Sequence, residues 1–250
     1  MKRIIGMLAL VTMLMLSATS FAADKQIGVY VAPKFVYGLT HMGTVDGTLG
    51  AAGVGTISGR VIGSKTDHAF GGSLAIGYDF SKQFNAPIRT EIEYAIFSDV
   101  KSRRTINETA PGVGAAEIEM KAKVGIQTLF ANVYWDIDTG TKWQPYLTGG
   151  LGMAFVSTKG SIGADVAGVG SGSQSISSKT NTNFAWNLGL GIGYVINDYV
   201  TVDAGYRFVG LGTGKTGTSE WWNNGYDWSA SGKTKELYQH QFAVGVRFTF

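Results

Sequence analysis

In the stretch 183–196, Phe184, Trp186, Leu188, Leu190, Ile192, Tyr194 and Ile196 alternate with Ala185, Asn187, Gly189, Gly191 and Gly193. Side chains on an extended strand point alternately to its two faces, so this spacing predicts a strand with one large apolar face and one small or polar face. The same period runs through 26–39, 67–80, 88–102, 118–137, 143–157, 199–211 and 237–250. In the last of these, Phe242, Val244, Val246, Phe248 and Phe250 share one face, opposite Ala243, Gly245, Arg247 and Thr249.

The connections sort by length. Segments 40–66, 103–117, 158–182 and 212–236 are long and rich in Gly, Ser and Thr, whereas 81–87, 138–142 and Asn197-Asp198 are tight. Long and short connections alternate along the chain, as in an up-and-down barrel with loops at one end and turns at the other. The expectation is all-β: an eight-stranded antiparallel transmembrane barrel with four long extracellular loops and both termini on the short-turn side. Within the first connection, Thr56 to Ile62 has two readings, as an extension of the neighbouring strands or as a pair of its own. The third connection, Gly160 to Thr182, reads as mobile.

Composition narrows the setting. Lys2 and Arg3, the apolar run Ile4 to Leu16 and the small-x-small site Ser20-Phe21-Ala22 predict a secretory signal over 1–22, leaving a barrel domain over 23–250. The leader takes two of the chain's 21 basic residues and none of its 18 acidic ones, so the mature balance is near neutral and no nucleic-acid partner is expected. Cys is absent, which excludes disulfides, thiolate metal sites and a cysteine nucleophile. The mature chain has no long uninterrupted apolar run, so a membrane span has to be a closed barrel, with every backbone group paired.

Glycines gather opposite the large apolar residues, at Gly71, Gly77, Gly150, Gly152, Gly189, Gly191, Gly193, Gly205 and Gly245. An eight-stranded barrel has room inside only for side chains, so small inward residues must sit beside large ones. Strand parity turns Arg89, Glu91, Glu93, Asp203, Arg207 and Arg247 inward, with Asp79, Asn132, Tyr134 and Asp136 nearby, mostly toward the periplasmic half. Paired carboxylates can serve acid–base chemistry or line a cation path, but acids and bases nearly balanced in a closed lumen read as an ion-pair plug.

Other chemistry is thin. His41, His68 and His240 are the histidines of the chain, and none stands in a strand-face arrangement with Ser; His41 has Asp46 and Ser58 within reach in its loop. The run Gly210-Leu-Gly212-Thr-Gly214-Lys215-Thr216 misses the phosphate-loop spacing because Val209 occupies the first Gly position. Asp136-Ile-Asp138-Thr-Gly140 begins like a calcium loop but lacks the later ligands. No catalytic residue, metal or cofactor is expected. Trp221, Trp222, Tyr226 and Trp228 crowd the fourth long connection among Asn and Asp, a composition that suits either an extracellular protein or glycan ligand or packing within the loop.

Arg89-Thr-Glu91-Ile-Glu93-Tyr94, Asn132-Val-Tyr134, Pro145-Tyr146 with Gly149-Gly150-Leu-Gly152, Gly205-Tyr206-Arg207 and the terminal strand, in this order and spacing, resemble the eight-stranded outer-membrane β-barrels of the opacity-protein and OmpX-like type, a porin-family outer-membrane barrel group. The resemblance implies an outer-membrane location in a Gram-negative-type cell, contact with outer-membrane lipid and a monomer. It also implies that the barrel-assembly machinery reads Gly245, Phe248 and Phe250. The function expected is a non-enzymatic surface protein with a structural or adhesive role through its extracellular loops. The alternative is a small channel for ions or polar solutes, and a lipid-modifying enzyme comes third.

Overall fold

The computed structural model describes residues 27–51, 55–62, 64–110, 114–166, 170–215, 219–223 and 226–250, so the leader expected over 1–22 lies outside the described residues. Among those described, the backbone forms β1 (Val29–Met42), β2 (Val45–Ala51), β3 (Gly55–Ile62), β4 (Lys65–Asp79), β5 (Ile88–Phe97), β6 (Val100–Ala110), β7 (Gly114–Asp136), β8 (Trp143–Val166), β9 (Gly170–Asn197), β10 (Val200–Lys215), β11 (Ser219–Asn223) and β12 (Tyr226–Thr249). Eight of these are staves, in the order β1-β4-β5-β7-β8-β9-β10-β12, and β12 pairs back onto β1 to close the ring. The closing seam runs antiparallel from Tyr30 opposite Thr249 to Met42 opposite Leu237, with Phe35 facing Val244. Its ladder skips Ala32 and Pro33, where proline has no N–H to donate.

The register fixes the shape of the barrel. A path through paired residues leads from Phe155 to Gln127, Ile96, Gly72, Phe35, Val244, Ala204, Ile192 and then to Pro145, ten residues below its start on β8. A shear of ten over eight strands, at ~3.3 Å per residue and ~4.8 Å between strands, tilts the staves by about 40°. Such a barrel is narrow enough for side chains to fill.

Alternation sorts the faces as the sequence pattern requires. Phe35, Ile76, Ile92, Val133, Leu147, Leu151, Leu188, Leu190 and Val244 are exposed on the outside, while their neighbours point inward. A continuous apolar exterior of this extent needs lipid against it. Trp135, Trp143, Tyr194 and Tyr199 lie at its lower rim, the turn end, where amphipathic rings suit the headgroup layer.

The turns at the closed end are built by side chains. Asp79 accepts from Ser81 N (2.9 Å) and Ser81 Oγ (2.6 Å) before a single helical turn, Ser81–Phe84, that ends in left-handed Asn85. Asp138 Oδ1 accepts from Gly140 N at 2.9 Å, and Gly140 adopts φ +65°, so the calcium-like run is a turn. Asn197 Oδ1 accepts from both Tyr199 N and Val200 N at 2.9 Å.

The other end departs from the expected loops. The stretch 88–102 is two strands: β5 stops at Phe97, and β6 leaves β4 to pair with β7 alone. Ser98 marks the parting, with its N bonded to Phe70 O at 2.6 Å and its Oγ accepting from Phe70 N at 3.0 Å. The third connection is mostly ladder, since β8 and β9 stay paired out to Val166 and Gly170. In the first connection β2 and β3 form a pair of their own, and β2 also pairs with β12. Beyond the apolar band the sheet thus continues as two leaves, β6-β7-β8-β9 and β12-β2-β3, the latter flanked by β10 and β11 on the far edge of β12.

Candidate functional site

The ion pairs of the lower lumen are built from inward positions on five staves, β1, β5, β7, β10 and β12. Lys34 on β1 extends between two glutamates of β5, with Nζ 2.7 Å from Glu91 Oε1 and 2.7 Å from Glu93 Oε2. Glu93 also accepts from the Arg207 guanidinium on β10, and Arg207 Nε donates to Gln241 Oε1 at 2.5 Å. Glu91 receives Tyr134 OH at 2.5 Å, Tyr30 OH at 3.2 Å and Asn132 Nδ2 at 3.3 Å. Nearer the turns, Arg89 donates to Asp136 through Nε (2.6 Å) and Nη2 (2.8 Å), and its guanidinium lies 4.6 Å from the centre of the Tyr134 ring. Arg247 Nε approaches Asp203 Oδ2 at 3.5 Å.

These placements bring Arg89, Glu91, Glu93, Asn132, Tyr134, Asp203, Arg207 and Arg247 into one interior layer. Asp79, placed near them by parity, instead caps the turn at Ser81. Lys34 is the charged member that sequence reading left out, as it also left out the polar Gln241. Lys34 shares the inward parity of Tyr30, which was its available signal, but Pro33 beside it obscured the alternation of the first strand. With Lys34 the interior carries four cations (Lys34, Arg89, Arg207, Arg247) and four carboxylates (Glu91, Glu93, Asp136, Asp203) among the described residues.

Glycine makes the layer fit. A Cβ on Gly245 would stand 2.7 Å from Lys34 Cγ and 2.7 Å from Pro33 O, so this residue of the terminal strand is held to glycine by Lys34 crossing its face. A Cβ on Gly205 would meet the Tyr146 hydroxyl at 2.6 Å. What remains open is a cavity of about 40 Å³ beside Lys34, Thr148, Asp203 and Arg247, room for a few water molecules.

The upper lumen has the opposite chemistry. Val36, Phe97, Val100, Ile126, Phe130, Val156, Val209, Leu211 and Leu237 are buried together, with Ala69, Ala95, Ala154 and Ala185 between them. Phe130, 1% exposed, meets the ionic layer at Arg207, whose guanidinium is 5.9 Å from its ring centre. Along β12 a polar rail continues upward, from Gln241 Nε2 to Gln239 Oε1 at 2.6 Å and from Gln239 Nε2 to Thr40 Oγ1 at 2.9 Å.

Each histidine is bonded to a hydroxyl on the outer face: His41 Nδ1 to Thr66 Oγ1 (3.0 Å), His68 Nδ1 to Tyr37 OH (2.6 Å) and His240 Nδ1 to Tyr206 OH (2.7 Å). The side chains of Asp46 and Ser58 lie outside those described. Among the described residues, no group of three or more His, Asp or Glu could hold a metal ion. The Gly210-Leu-Gly212 run sits at a break in the β10–β12 register, with Gly212 at φ +77° and Leu211 buried in the lumen. On the hairpin of β11 and β12, Trp221 is opposite Trp228, Trp222 opposite Asp227 and Asn223 opposite Tyr226; the side chains there lie outside the described ones. The terminal strand places Phe248 opposite Val31 and Val200, and Phe250 N donates to Val29 O at 2.8 Å.

The chain is 26% identical over 234 residues to outer membrane protein PagN of Salmonella typhimurium (strain LT2), covering 93% of this chain and 94% of that one. Among solved structures it is similar to Neisserial surface protein A, at 18% identity and TM-score 0.46 over 89% of this chain and 97% of that chain. It is also similar to OprG from Pseudomonas aeruginosa, at 14% identity and TM-score 0.46 over 90% and 97% of the two chains. A family model described as "Outer membrane protein beta-barrel domain" matches residues 8–250. With a closed eight-stave ring, an apolar exterior and a match over nearly its whole length, the chain belongs to the outer membrane protein beta-barrel family and resides in the outer membrane.

Proposed function

We propose that this protein is a non-enzymatic surface barrel that acts through its extracellular strand extensions, presenting them to an extracellular protein or glycan. The observation that carries this reading is the asymmetry of the two ends. The lower end closes in tight turns, whereas the upper end carries two sheet leaves well past the lipid-facing band. Membrane anchoring alone needs about 9–11 residues per strand, and β9 has 28. The pairing of Trp221 with Trp228 adds aromatic residues at adjacent register positions, a composition suited to recognition.

The lumen argues for a barrel that does not conduct. A solute path would have to cross both the paired charges of the lower layer and the apolar packing above them. Binding of refolded protein in vesicles to an array of immobilised matrix proteins and glycans tests the adhesive role. Replacing Trp221, Trp222 and Trp228 with Ala should lower binding at least about tenfold, with the heat-modifiable compact band of the folded barrel retained. Unchanged binding by a folded triple variant would remove these residues from recognition.

A further inference from the structure

The outward face of the β6-β7-β8 leaf carries a row of like charges. Lys101 on β6 is directly opposite Lys123 on β7, and Lys123 is directly opposite Lys159 on β8. One row further out, the register sets Arg103 opposite Lys121. Like charges directly across a ladder repel, so such a row disfavours the sheet unless an anion lies against it. Lysines on an edge strand can serve to block unwanted pairing, which accounts for Lys101 but not for Lys123 and Lys159 on interior strands. Lys159 also stands where the β8–β9 register breaks, between Thr158 opposite Lys179 and Gly160 opposite Ile176. The extra residue of the break is on β9, where Ser177 and Ser178 together oppose Lys159, so Lys159 keeps its place opposite Lys123.

Among the described residues one acid answers the row, against three cations. Asp99 pairs with Lys123 at 2.7 Å, both groups being well exposed. Glu119 and Glu117 occupy register positions further from the membrane on β7, beyond the basic rows. In the other leaf a row runs Lys215, Lys233, Asp46, Arg60, so an acid holds the register position between Lys233 and Arg60.

Height then selects the anion. The polar edge of the lipid-facing band on β7 is Gln127, whose Oε1 accepts from Tyr94 OH at 2.7 Å. Lys123 lies four residues beyond Gln127, about 10 Å along the membrane normal at ~3.3 Å per residue and a tilt of about 40°. That is just past the headgroup layer, which reaches about 5–8 Å beyond the hydrocarbon, and a lysine stem can bend back into it. We propose that Lys101, Lys123 and Lys159 form a lipid-docking strip that holds phosphorylated headgroups of the outer leaflet against this one side of the barrel. The strip faces sideways over the membrane, which favours lipid over a ligand arriving from the medium.

The test uses the full mature chain refolded into phosphatidylcholine vesicles with trace spin-labelled lipids. The fraction of motionally restricted label gives the preference for phosphatidic acid over phosphatidylcholine. Lysines near an anionic surface each contribute severalfold to such a preference, so the wild-type chain should favour the phosphate monoester by roughly fivefold or more, and the K101Q/K123Q/K159Q variant should fall toward no preference. Exposed Lys→Gln changes of this kind leave folding nearly untouched, which the heat-modifiable band verifies, and the single K159Q variant should give an intermediate value. The K215Q/K233Q/R60Q variant in the other leaf should keep the wild-type preference. Equal preference in wild type and K101Q/K123Q/K159Q would overturn the proposal. So would loss of the preference on adding inorganic phosphate but not on adding chloride of equal ionic strength, since the strip would then be a site for free phosphate.

Discussion

Below Phe130 the barrel wall turns lysine, arginine, glutamate and aspartate into the lumen; above it, on the same staves, valine, isoleucine, leucine and phenylalanine fill the same cross-section. Both halves are packed and closed, but by forces with different failure modes. Apolar packing degrades in proportion to what is removed, because each lost methylene forfeits burial and leaves some cavity. A buried ionic layer is asymmetric: removing every charge together is nearly neutral, whereas removing one strands its partners in a medium that cannot solvate them. Lys34 and Arg207 converge on Glu93, so Glu93 is where that asymmetry is greatest.

Substitutions can separate the two regimes. The largest loss is expected for Glu93→Ala, which leaves Lys34 and Arg207 short of an anion; urea unfolding in micelles should show a loss of about 3–5 kcal/mol. A loss below 1 kcal/mol would mean that water already screens the layer. Next comes Ile126→Ala in the apolar half, expected to cost about 3 kcal/mol, within the range of buried large-to-small changes. The exchange Lys34→Met/Glu91→Gln/Glu93→Leu/Arg207→Met, which leaves no partner of these charges behind, should then lie within about 1 kcal/mol of wild type despite four substitutions. If it destabilised as much as Glu93→Ala, the difference between the halves would not be one of charge compensation. The smallest effect is on conduction: Glu93→Ala and wild type should both be silent in planar bilayers, because the apolar half remains shut. Steady conductance in either would show that half to be permeable.

How far the sequence can be read follows from the same contrast. The ionic half was legible because charged residues on a strand with an apolar outer face have one place to go, and period two turns Arg89, Glu91, Glu93, Arg207 and Arg247 inward together. Lys34 escaped because Pro33 interrupts the alternation next to it. The apolar half was harder, since Phe97, Ile126 and Val209 are the same residue types that face lipid, and only a register carried through both neighbouring strands separates them. Above the band the pattern failed for a different reason. Residues 158–166 and 170–182 are rich in Gly, Ser and Thr and show no sustained alternation of large apolar with polar residues, so they read as loop. Their order comes from the ladder of neighbours, which is non-local.

The Glu93–Arg207 pair joins β5 to β10, which stand four places apart in a ring of eight and so face each other across the lumen. A ring held only by hydrogen bonds between neighbouring staves can flatten toward an ellipse without breaking any of them. A tie across its diameter resists that deformation in one direction, and Lys34, reaching from β1 to β5, widens the footing of the tie. The lower layer is in this sense a brace as well as a plug: it keeps the cross-section round beneath the long leaves that the staves carry above the membrane.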